Sequence, residues 1–124
     1  MKIRIKGDSI RLRLTKSEVD ALASVGSVEE HTHMPGGTLS YVLRSDSGLE
    51  YINASFRDST IFVSMPEKLA SAWPGNDVVG YRNTISVSDG SSLSLLIEKD
   101  FKCIDAPAEE DQSDNYEHPN ITCS

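Results

Sequence analysis

Strict alternation of charged and apolar residues opens the chain. Lys2, Arg4 and Lys6 alternate with Ile3 and Ile5; after Gly7-Asp8 the period resumes, with Ile10, Leu12 and Leu14 set between Ser9, Arg11 and Arg13. A two-residue period puts each class on its own face of a strand. Gly7-Asp8 suits a two-residue turn whose first position needs positive φ, which predicts a tight hairpin. That turn sets the register: Lys6 faces Ser9, Ile5 faces Ile10, Arg4 faces Arg11, Ile3 faces Leu12 and Lys2 faces Arg13. One face is then apolar, and the other is a strip of Lys2, Arg4, Lys6, Arg11 and Arg13. Like charges directly opposed cost up to about 1 kcal/mol a pair. The strip therefore calls for a counter-charge, supplied by acids of the chain, a bound anion or salt.

The period then changes. Thr15 and Glu18 have capping-box spacing, Leu14 and Val19 that of a hydrophobic staple, and Val19, Leu22 and Val25 lie within a turn of one another before Gly26. A short amphipathic helix follows. Alternation returns over 28–34, 38–44, 50–56, 60–63, 78–87 and 93–101, separated by Pro35-Gly36-Gly37, Asp46-Ser47-Gly48, Arg57-Asp58-Ser59 and Asp89-Gly90. Ile52, Ala54 and Phe56 are expected to point inward. Ser64 and Glu67 give a second capping-box pattern for a helix that carries Leu69, Ala70 and Trp73 and ends at Pro74-Gly75. The stretch 93–101 is the most apolar and is expected to be central. No internal repeat is visible. About eight strands, two short helices and hairpin-sized connections predict an α+β fold. Its sheet is expected to be mainly antiparallel, a curved sheet or an open barrel, without parallel αβ alternation, because helices for crossovers are too few.

Charge changes the picture of the ends. Six of the twelve basic residues fall within residues 1–16 against the single acid Asp8, although the whole chain carries −7. Asp105, Glu109, Glu110, Asp111, Asp114 and Glu117 follow with no base among them. A globular domain over 1–104 and an acidic extended tail over 105–124 are expected, with the tail lying over or beside the basic strip. No apolar leader and no run of membrane length is present, so a cytoplasmic protein is expected.

Candidate chemistry is sparse. His31 and His33 share one strand face and could hold a metal, and Cys103, His118 and Cys123 add soft ligands near the end. Zinc is the natural candidate for such a set, although no close Cys-x-x-Cys knuckle exists. No nucleophile elbow, phosphate-binding glycine loop or His-Glu-x-x-His is present. The strip lacks the interleaved aromatics of single-strand nucleic-acid platforms, and the acidic net charge also argues against nucleic acid.

The run MKIRIKGDSIRLRLTKSEV, with EKDFKC at 98–103 and the acidic, proline-containing end, resembles a group of small uncharacterised bacterial proteins. The resemblance implies a bacterial, cytosolic, single-domain protein and transfers no catalytic residue. The residues thus point to a non-enzymatic binding domain that takes a protein partner or a small anion on the basic hairpin face. The alternative is a metal-binding or metal-responsive protein using the histidine pair and the C-terminal Cys and His residues.

Overall fold

A computed structural model describes residues 1–101 and 114–116. The elements run β1 (Lys2–Ile5), β2 (Ser9–Leu14), α1 (Lys16–Ser24), β3 (Ser27–Met34), β4 (Gly37–Asp46), β5 (Asn53–Arg57), β6 (Thr60–Pro66), α2 (Glu67–Ala72) with a 3₁₀ turn at Trp73–Gly75, β7 (Gly80–Ser86) and β8 (Ser92–Lys99). The fold is α+β. The opening hairpin has the expected register, Lys2 opposite Arg13 through Ile5 opposite Ile10, with Gly7 at φ +54°.

The sheet differs from expectation. There are two four-stranded sheets, ordered β1-β2-β8-β7 and β3-β4-β6-β5, and neither closes into a barrel. Within each, two antiparallel hairpins join through a parallel pairing of their inner strands, β2 with β8 and β4 with β6. Both sheets are therefore mixed. Parallel pairing here needs no crossover helix, because the outer strand of a hairpin carries the chain back before the inner strand pairs.

The two sheets repeat one topology. Exchanging β1-β2-α1-β3-β4 with β5-β6-α2-β7-β8 converts one strand order into the other. Leu12 opposite Ile97 in the first sheet then corresponds to Val63 opposite Leu43 in the second, and all four are buried. Turns correspond too. The two-residue turn at Gly7-Asp8 matches Asp58-Ser59, whose φ values of +52° and +56° are unusual for non-glycine residues, and Gly36 (+95°) matches Gly90 (+93°). The repeat that the sequence conceals is thus carried by burial and backbone conformation.

One core unites the apolar faces of both sheets with Val19 and Leu22 of α1, Ala70 of α2, and Trp73. The first capping box is present, with the Glu18 carboxylate accepting from the Thr15 N–H at 3.0 Å; Leu14 and Val19 of the staple are fully buried. The second box does not form. β6 runs on to Pro66, which pairs with Asp46, and Ser64 instead accepts from Arg44 Nε at 3.0 Å. Pro66 biases Met65 away from helical backbone, which keeps Ser64 from capping. Phe56, expected inward, is exposed, and so is Val25 at the end of α1. β7 begins at Gly80, where a Cβ would sit 2.7 Å from the Ile97 carbonyl oxygen of β8.

The acidic segment returns to the body at Asp114–Tyr116. The Asp114 carbonyl accepts from the Lys16 N–H at 2.9 Å, and Tyr116 bridges to Phe101 in parallel.

Candidate functional site: the outer face of the first sheet

Alternation along each strand, combined with the register, arranges the outer face of the first sheet in rows. One row crosses all four strands as Arg4, Arg11, Leu96 and Arg82. The next runs Lys2, Arg13, Glu98 and Gly80, and another places Ser94 between Ser9 and Thr84. The hairpin strip is therefore one part of a four-stranded face. β7, remote in sequence, adds the single cation Arg82, and β8 adds Ser94, Leu96 and the acid Glu98.

Among the described residues, two carboxylates offset the cations in part. Glu98 accepts from Arg13 Nε at 2.7 Å and lies 3.5 Å from Arg11 Nε. Asp100, just beyond β8 and almost wholly buried, lies 3.2 Å from Lys2 Nζ. Among the described residues, no carboxylate pairs with Arg4 or Arg82, and both are exposed. Lys6 sits exposed at the turn, its backbone N–H bonded to the Ser9 carbonyl. Two shallow depressions lie on this face. The larger, about 250 Å³, is lined by Arg11, Arg82, Leu96 and the side chains of Ser9, Thr84 and Ser94. The smaller, about 170 Å³, is lined by Lys2, Ile3, Arg4, Arg11 and Arg13. Arg11 stands between them.

Asp114 is the one acid of segment 105–117 within the described residues, and it turns to α1. It accepts from the Ser17 N–H at 3.2 Å and from the Ser17 hydroxyl, and these bonds hold its carboxyl below the usual carboxylate range. It serves the helix N-terminus and not the strip. The other acids of that segment lie outside the described residues.

A protein-family model described as "Family of unknown function (DUF7009)" matches residues 1–120. The chain belongs to this family. No curated protein and no solved structure matches it. The family match spans both sheets and the return segment, so the basic face and the core beneath it fall within one family unit.

The metal candidates divide. His31 and His33 are exposed on β3, where Nδ1 of His31 bonds the Ser40 hydroxyl at 2.7 Å and Nδ1 of His33 the Thr38 hydroxyl at 3.1 Å. Cys103, His118 and Cys123 lie outside the described residues. Among the described residues no three His, Cys, Asp or Glu side chains gather where a metal could sit. Likewise, no helix among them is long and apolar enough to cross a membrane.

Arg82, Glu98 and Asp100 were not recognised as part of the surface in the sequence. Arg82 does alternate with Tyr81 and Asn83, but nothing local to β7 says that its sheet is completed by the first hairpin.

Proposed function

We propose that the protein is a binding domain that takes a small oxyanion on the outer face of the first sheet. The observation that supports this is the row Arg4-Arg11-Leu96-Arg82 beside the hydroxyls of Ser9, Ser94 and Thr84. Guanidiniums recognise phosphate and carboxylate through charged, often bidentate hydrogen bonds, and neighbouring hydroxyls can supply the remaining donors. A depression of about 250 Å³ suits a small anionic group better than a polymer backbone. The Leu96 side chain forms an apolar floor between two cations, where an anion would be partly desolvated.

Titration calorimetry with inorganic phosphate and pyrophosphate tests the reading. Binding should weaken by about tenfold in Arg82→Ala, the scale of one charged hydrogen bond. It should also fall with added salt, since exposed charges are screened over ~8 Å at physiological ionic strength. Equal affinity in the wild type and Arg82→Ala, or no binding of either anion at low salt, would remove the oxyanion site.

A further inference from the structure

Strand β8 buries a lysine where its pattern calls for an apolar side chain. Leu93, Leu95 and Ile97 face the core at two-residue spacing, and the next position on that face is Lys99, only 5% exposed. Its ammonium donates to the Asn76 carbonyl at 2.7 Å and lies 4.9 Å from the ring centre of Tyr116 and 5.9 Å from that of Trp73. Among the described residues it forms no ion pair with a carboxylate. Burial pushes its pKa below the ordinary lysine value, while the charge of Asp77 opposes the shift.

A cavity of about 500 Å³ opens onto Lys99, with Pro74, Asn76, Asp77, Phe101 and Tyr116 in its walls. The wall facing β8 is held in place. Trp73 Nε1 donates to the Val78 carbonyl at 2.7 Å, and the Val78 N–H donates to Asn76 Oδ1 at 3.1 Å. A buried lysine keeps more of its neutral, nucleophilic form than one in water. Here it meets aromatic walls, a carboxylate and open volume together. The cavity adjoins the core-facing side of β8, so it is separate from the basic face and independent of the oxyanion reading.

We propose that Lys99 captures an aromatic aldehyde reversibly as an imine. The nitrogen lone pair forms the new bond to the carbonyl carbon, and the carbonyl π pair moves to oxygen. Solvent in the open cavity relays the two nitrogen-bound protons, one after the other, to that oxygen, which departs as water while the nitrogen pair closes the C=N bond. No oxidant or reductant is consumed. Phe101 and Tyr116, in tilted contact with ring centres 5.7 Å apart, together form the wall against which the ring of the aldehyde packs.

The test incubates the full chain with benzaldehyde and cyanoborohydride near neutral pH and maps the reduced adducts by peptide mass spectrometry. Lys99 should be modified several times faster than the exposed Lys6 and Lys68. In Lys99→Met, checked for folding by its melting transition, the fast adduct should vanish. Modification of Lys99 no faster than that of Lys6 and Lys68 in the wild type would overturn the proposal, whether or not the variants fold.

Discussion

The two sheets share one topology and present opposite outer faces. In each, an arginine crosses the seam between the parallel strands to a polar partner, Arg13 to Glu98 in the first and Arg44 to Ser64 in the second. Their surroundings then diverge. The first sheet crosses its strands with Arg4, Arg11, Leu96 and Arg82; the corresponding row of the second is Ser55, Phe62, Val42 and Glu29. In the second sheet Arg44 and Arg57 lie over the Phe62 ring at 4.9 and 4.8 Å, so their charge is absorbed by an aromatic face. The core-facing residues of both sheets answer to the same demand of burial. The topology does not require the cations of the first sheet, since the second folds without them. That difference is the reason the proposed oxyanion site is placed on the first sheet.

The strongest test of the equivalence is in the core. Leu14 and Met65 occupy corresponding positions and are both fully buried, so Leu14→Ala and Met65→Ala should each cost about 2–5 kcal/mol by denaturant titration. A small loss at one site alone would mean that the halves match in outline but not in energy. Next comes the outer face. Arg82→Ala should lower phosphate affinity by about tenfold while Arg57→Ala leaves it unchanged, because only the first sheet offers the cationic row. Equal losses would erase the distinction between the faces.

A smaller effect separates the helices. Thr15→Ala should cost about 1 kcal/mol, whereas Glu67→Ala, which belongs to no capping box, should stay within about 0.5 kcal/mol. The smallest concerns pH. The Asp114 carboxyl is held below its ordinary range by Ser17, so its contribution is present above the unfolded pKa and is lost as pH falls through the folded one. Asp114→Asn should therefore flatten the acid limb of the stability profile. An unchanged limb would show that the contact with α1 adds no measurable stability.

Local pattern made the hairpins legible. Gly7-Asp8 determined the register of β1 and β2 residue by residue, and Thr15, Glu18, Leu14 and Val19 marked the start of α1. The second box misled because Pro66 acts one residue upstream of itself, holding Met65 extended. Pairing between hairpins left no trace, since a parallel contact such as Arg11 with Leu96 depends on residues far apart in the chain. The site suffered most from this. Its hairpin half was visible as a strip, but Arg82 and the hydroxyls of Thr84 and Ser94 joined it only through that parallel seam. Lys99 carried a readable signal, a charge at the end of the Leu93-Leu95-Ile97 alternation, which the apolar character of the strand concealed.

The parallel seam of the first sheet also imposes an order of assembly. The second sheet is contiguous, running from Ser27 to Pro66, whereas the first joins Lys2–Leu14 to Gly80–Lys99. Until the last hairpin arrives, the inner edge of β2 has no neighbour. Such an edge invites pairing with other chains, and charged side chains are a common protection against it. Arg11 and Arg13 place such charges on β2 beside this edge. A chain ending before Gly80 should accordingly stay dispersed at low salt and aggregate when both arginines are replaced by threonine, as light scattering would show; equal scattering by the two forms would deny them this protective role.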